Sequence, residues 1–191
     1  SDVAETMISA TTTEEITRLQ QLHLFSEVEN TSAQQGAIID TSQRYRYALW
    51  RVWNEELPRV TFIMLNPSTA DAFQDDPTLR RCKRFAQNFG GGSVEVVNLF
   101  AYRSTQPSEL WRVDDPIGPE NDKHIVQAVS RSTLLIAAWG VEGARTDRCM
   151  DVINLIRSST DTLLHCLELT KEHYPRHPLY VRSDIQPLLY G

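Results

Sequence analysis

Phe62-Ile63-Met64-Leu65-Asn66-Pro67-Ser68-Thr69-Ala70-Asp71 is the stretch on which the reading of the chain turns. An apolar run ends abruptly in a polar loop, and a basic, helix-like stretch follows. Buried strands of parallel sheets read as continuous apolar runs, and α/β proteins bind ligands in the loops beyond the carboxyl ends of those strands. Asn66 both donates and accepts hydrogen bonds, so it suits placing a water or a polar substrate edge. Pro67 fixes its own φ and pushes Asn66 into an extended conformation. Taken alone, Asn66 to Thr69 is a turn with a helix cap; the rest of the chain decides whether it is more.

Outward from this stretch, Pro58 breaks the chain before a strand over 60–65. Beyond the loop, Asp76 is placed to N-cap a helix with Pro77 at its first position. Leu79, Cys82, Phe85, Ala86 and Phe89 form the inner side of that helix, and Arg80, Arg81, Lys83 and Arg84 lie mostly outward. Gly90-Gly91-Gly92 ends the helix. Its spacing matches no nucleotide-binding loop, and it follows a helix where such loops follow a strand. Strands are predicted over 94–100, 133–139 and 163–167, with helices from Asn121, acting as cap, to about 131 and over 145–158. The alternation predicts an α/β fold, a three-layer αβα sandwich around a central, mostly parallel four-stranded sheet. Upstream, 36–40 and 45–53 read as short antiparallel strands, 31–35 as a linker, and 14–25 as an amphipathic N-terminal helix. Residues 1–13 read as a mobile segment, 14–191 as a single domain, and the tail 170–191 as mostly loop.

The 191 residues suffice for one domain with a substantial core, and 41% apolar with 23% charged residues is ordinary for a globular protein. No apolar run approaches the ~20 residues of a membrane helix. The N-terminus lacks the pattern of a signal peptide, so cytoplasm is the expected location. Cys82, Cys149 and Cys166 are widely spaced without a C-x-x-C pair, which gives no support to a disulfide framework or a Cys-ligated metal. No cofactor, metal or obligate protein partner is implied. The net charge of −6 argues against nonspecific nucleic-acid binding, yet residues 1–30 alone carry −5. The remainder is close to neutral, with a basic cluster at Arg80, Arg81, Lys83 and Arg84 whose local potential suits phosphate contact.

Polar residues gather at the four strand ends. The first gives Asn66, Pro67 and Ser68, with Asp71 and Phe73 beyond; the second gives Asn98, Tyr102 and Arg103; the third gives Trp139 and Gly140. The fourth leads through Thr170 and Lys171 to Arg176 and His177. Asn98 closes an otherwise apolar strand, where an amide must find partners. Either it bonds neighbouring backbone and staples the sheet, or it presents a donor and an acceptor to a flat amide-like edge. Asp71, Asp75 and Asp76 offer a base or metal-binding cluster, or else turn and cap acids. His177 offers a proton donor near neutral pH.

The stretches 45–50, 64–71, 76–81, 97–103, 138–140 and 176–180 resemble a bacterial and phage family known only as a domain of unknown function. More distantly, Leu65-Asn66-Pro67-Ser68 resembles the first motif of the uracil-DNA glycosylase superfamily, in its mismatch-specific branch. Val97-Asn98 with Arg103 is similar to the second-strand Asn that reads the pyrimidine there, Ile136 to Gly140 to the third strand, and His177-Pro178 to the late His-Pro-Ser motif. Leu179 departs from the Ser of that motif, and Met64 and Leu65 from its small flanking residues. The resemblance implies excision of uracil or a modified pyrimidine from DNA, in repair or phage defence, by base flipping and water attack at C1′. It implies catalytic Asn66 and His177, with Asp71 as a further acid. Pro67, Ser68, Phe73, Asn98, Tyr102, Arg103 and Gly140 would bind substrate, with Phe73 or Tyr102 stacking on the base. Arg80, Arg81, Lys83, Arg84, Lys171 and Arg176 would contact the DNA backbone. A noncatalytic nucleic-acid or nucleotide reader, and an enzyme of free nucleotides, are the alternatives on the same fold.

Overall fold

The computed structural model describes residues 27–32 and 34–191. The segment expected to be mobile and the helix expected over 14–25 lie outside them. Four strands, β4 (Arg59–Met64), β5 (Ser93–Asn98), β6 (Leu134–Ala137) and β7 (Leu164–Cys166), run parallel in the spatial order β5-β4-β6-β7. Helices α1 (Pro77–Asn88), α2 (Asn121–Ser130) and α3 (Arg148–Ser159) fill the three crossovers between them.

The antiparallel strands are not a separate feature, and the sheet is larger than the four strands expected. β1 (Glu27–Ser32), β2 (Gln35–Ile39) and β3 (Arg46–Val52) continue it beyond β5, and β8 (Leu188–Leu189) pairs with β7, giving eight strands among the described residues. Within the expected linker over 31–35, Thr31 and Ser32 end β1 and Gln35 opens β2. An edge strand pairs through its main chain on one side only and tolerates a charged sequence, so Glu-Val-Glu-Asn-Thr-Ser gives no apolar alternation to read.

Alternation along the strands divides the core. Phe62 and Met64 of β4 and Val94 and Val96 of β5 pack with Leu79, Cys82, Phe85 and Ala86 of α1. Ile63, Val97, Leu135 and Ala137 pack with Ile125 and Val129 of α2 and Val152, Ile153 and Ile156 of α3. Asp76 caps α1 as expected, its Oδ1 accepting from Leu79 N at 2.8 Å. Asn121 does not cap α2. It occupies the first helical position, fully buried, and its Nδ2 donates to the carbonyls of Asn98 (2.9 Å) and Leu99 (3.0 Å).

The chain leaves β4 for β5 on one side and returns to β6 on the other. Loops leaving β4 and β6 therefore diverge, the arrangement that opens a ligand crevice in doubly wound sheets. Among the described residues, no helix is long and apolar enough to cross a membrane.

Candidate functional site

A cleft of about 570 Å³ opens at this divergence, lined by Met64, Leu65, Asn66 and Ser68 after β4, Asn98 on β5, Trp139 and Gly140 after β6, and Arg176 and His177 from the tail. Two short contacts bring the tail in. Gly140 N donates to Pro175 O at 2.8 Å, and Arg176 N to Glu168 O at 2.9 Å. Gly140 adopts φ of 69°, a left-handed conformation that glycine takes without strain.

Asn98 is 1% exposed, and among the described residues neither its Nδ2 nor its Oδ1 has a hydrogen-bond partner. The stapling role weighed for it belongs to other side chains. Asn121 holds the carbonyls of Asn98 and Leu99, and Arg148 Nε donates to Leu99 O at 2.8 Å. The strand end is thus fixed from the α2 and α3 side, and the Asn98 amide stands in the cleft with its bonds unmade. Leaving such a group buried costs roughly 1–3 kcal/mol.

Asn66 is anchored differently. Its Nδ2 donates to the carbonyls of Pro67 (3.1 Å), Tyr102 (3.3 Å) and Ser104 (3.0 Å), which fixes the amide plane and leaves the Oδ1 acceptor for the cleft. His177 Nδ1 accepts from Leu179 N at 3.1 Å, so the neutral ring carries its proton on Nε2. Burial pushes the His177 pKa below the ordinary value, with Asp76 opposing, which favours that neutral form.

The His177 turn is clamped to α1 by Arg81, whose guanidinium donates to Pro178 O (3.3 Å) and Val181 O and lies 5.0 Å over the Phe85 ring. Two of its five N–H donors, expected at DNA phosphates, are thereby given to the protein. Arg81→Met should lower stability by about 1–2 kcal/mol. It should also speed amide exchange over 177–181 while leaving exchange in β4 unchanged, which hydrogen-exchange mass spectrometry will read.

Several expected site residues are not brought to the cleft. Asp71 Oδ1 accepts from the N–H groups of Phe73 and Gln74, both at 2.8 Å, in a turn that closes on itself. Phe73 is thereby turned outward and is 66% exposed. Tyr102 pairs with Tyr45 and contributes only its carbonyl, to Asn66. Arg103 reaches Gln43 O at 3.4 Å, away from the cleft lining. Pro67 is buried beside the cleft, its carbonyl accepting from Ser104 N. Arg80 binds Asp75 O, Lys83 lies 6.0 Å over the Trp53 ring, and Arg84 and Lys171 are exposed outside the cleft. Arg176 lines the cleft with its Nε 3.2 Å from Glu168 Oε2, out of line for a hydrogen bond.

Tyr180 and Arg46 are among the lining residues that the sequence reading does not single out for the site, and Asp76, weighed there as a base or a cap, joins them. Asp76, foreseen as a cap, also faces the cleft, though its carboxylate is committed to Ala70 N (3.3 Å) and Leu79 N. Tyr180, 74% exposed, stands at the rim with its ring 5.7 Å from that of His177. Arg46, at the start of β3, is 4% exposed, and burial lowers its pKa to about 10 with Asp76 partly offsetting. A basic residue in an otherwise apolar strand was its only signal.

Fold and site together define an α/β protein with a cleft where the crossovers between the parallel strands of a mixed sheet reverse direction. The chain belongs to the family described as protein of unknown function (DUF1643), which matches residues 46–179 and so spans β3 through the His177 turn. No match is found among curated proteins or among solved structures.

Proposed function

We propose that the cleft reads a pyrimidine base and that the protein is a DNA glycosylase-like enzyme releasing uracil or a modified pyrimidine. The observation carrying this reading is Asn98, a rigidly held amide with an unmade donor and an unmade acceptor at the cleft floor. A pyrimidine presents the complement, a carbonyl oxygen beside a ring N–H, and two such bonds would offset the desolvation of the amide. The flipped base enters between the loops of β4 and β6. Asn66 Oδ1 accepts from the water that attacks C1′, and the fixed Nδ2 keeps that acceptor in place. As the water oxygen bonds to C1′ and the C1′–N1 bond breaks, that bond's electrons pass to the base. The Nε2–H of His177 donates to the oxygen on which negative charge develops, and the proton shed by the water ends, by way of solvent, on the released base. Tyr180 at the rim takes the stacking position first assigned to Phe73. The exposed Arg80, Arg84 and Lys171 remain for phosphates. The resemblance of the Asn66, Asn98, Gly140 and His177 motifs to the uracil-DNA glycosylase superfamily supports the same reading.

The test is incubation with duplex and single-stranded oligonucleotides bearing uracil, mismatches or bulky pyrimidine modifications. Release of one such base, with Asn66→Ala slowing it by roughly 100-fold or more, is the expected result. Failure to release any base would remove the glycosylase reading. A second reading, recognition without turnover, is favoured by one observation. Asp71 lies outside the cleft and the Asp76 oxygens are committed, so neither acid is placed as a general base. Retention of a modified oligonucleotide without base release would select it.

A further inference from the structure

Arg46 is set apart among the buried arginines. Arg51 pairs with Asp75 at 2.9 Å, and Arg148 with Asp122 at 2.6 Å. Among the described residues the Arg46 side chain makes one hydrogen bond, from its terminal nitrogen to Ala70 O at 2.8 Å, and its Nε is buried with no partner there. No carboxylate of the described residues pairs with it, and the nearby Asp76 gives its oxygens to two backbone N–H groups. A buried guanidinium with no carboxylate in direct contact is costly and donates only, and the more distant Asp76 offsets this only in part, so an anion is the complement it lacks.

The backbone delivers this side chain deliberately. The register of β2 and β3 slips by one residue, with Ile38 opposite Ala48 but Ile39 opposite Arg46. Tyr47, the extra residue, turns to the other face and stacks on His124 of α2 at 5.0 Å. Strict alternation from Leu49, whose side chain packs on the α1 side, would send Arg46 to the α2 side. The bulge sends it instead into the cleft, on the face that carries Asn98. Bulges beside functional sites re-aim side chains in this way.

We propose that Arg46 is an anion-binding residue at the cleft floor, and that the natural ligand carries an acidic group, carboxylate or phosphate, beside the edge that Asn98 reads. This rests on the base-reading role of Asn98 for the second group's identity, and the anion site is tested separately from it.

The experiment is calorimetric titration of the full chain with uracil, uracil-5-carboxylic acid, deoxyuridine monophosphate and inorganic phosphate, repeated on Arg46→Gln. One or both acidic pyrimidines should bind about 10- to 100-fold more tightly than uracil, and to Arg46→Gln they should bind no more tightly than uracil does. A gain confined to the carboxylate places the acidic group on the base; a gain confined to the monophosphate identifies a free nucleotide. Equal binding of uracil and both acidic ligands, or a gain that survives Arg46→Gln, overturns the proposal and leaves the base-reading role standing. Phosphate binding that is lost in Arg46→Gln, with no pyrimidine bound, upholds the anion site and removes the base-reading role. Absence of binding by all four probes overturns both. Gln retains a donor for Ala70 O; should it still fail to fold, Arg46→Lys and Arg46→Met replace it, with the anion preference kept in part by Lys and lost by Met.

Discussion

Asn98→Leu should abolish base recognition and, at the same time, make the ligand-free protein more stable. The two side chains are close in size, so the core around the end of β5 needs little adjustment. Loss of both hydrogen bonds to a bound pyrimidine should weaken binding by roughly 100-fold or more, since the edge of the base would then be buried against methyl groups. In the empty cleft the same change removes a buried amide whose donor and acceptor are both unmade. Relief of that desolvation is worth about 1–3 kcal/mol, and at this chain length each kcal/mol moves Tm by about 2–4 °C. A fall in stability would mean that Asn98 is part of the fold's own bonding, the stapling role that Asn121 and Arg148 fill here. Thermal melts beside ligand titrations of the same variant decide the matter.

Phe62→Ala should be the most damaging truncation in the sheet. Phe62 is 0% exposed and lies on β4, opposite Val96 on one side and Ile136 on the other. Its ring packs between the centre of the sheet and α1, with Leu79, Phe85 and Ala86 in the same buried cluster. A cost of about 3–5 kcal/mol is expected, against a total stability of about 5–15 kcal/mol for domains of this kind. Phe73→Ala, eleven residues on and largely exposed, should stay within about 0.5 kcal/mol. Urea denaturation of the pair checks both, and comparable losses for the two would contradict the assignment of the core.

What could be read from the sequence follows from what periodicity records. Largely apolar runs at 60–65 and 94–97, broken only by Thr61 and Glu95, mark strands buried on both faces, and the alternation with helices predicts their parallel arrangement. It also placed Asn66, Asn98, Gly140 and His177 at strand ends, and the cleft gathers all four. Loop direction is a different matter. Asp71 and Phe73 were drawn toward the site because they follow Asn66, but the Asp71 side chain curls the loop back on its own N–H groups. Tyr102 and Arg103 follow Asn98, yet they turn toward Tyr45 and Gln43 across the sheet. Such local side-chain to backbone bonds leave no periodic trace. Arg46 was missed for a sharper reason, because one bulged residue reverses the face on which a side chain emerges. Arg81 belongs to a basic cluster in sequence, and only its distance from the His177 turn shows that it is a clamp.

The claim on which the account rests is that the Asn98 amide meets the ligand directly. It is tested most directly by the side-chain ¹⁵N–¹H₂ resonances of Asn98, identified by their loss in Asn98→Leu and followed as an oligonucleotide bearing the released or retained pyrimidine is added. Both proton signals should shift in step with binding, the one that gains a carbonyl acceptor moving furthest downfield. Signals that stay in place while the oligonucleotide binds would show that the base is read elsewhere, and would contradict the account.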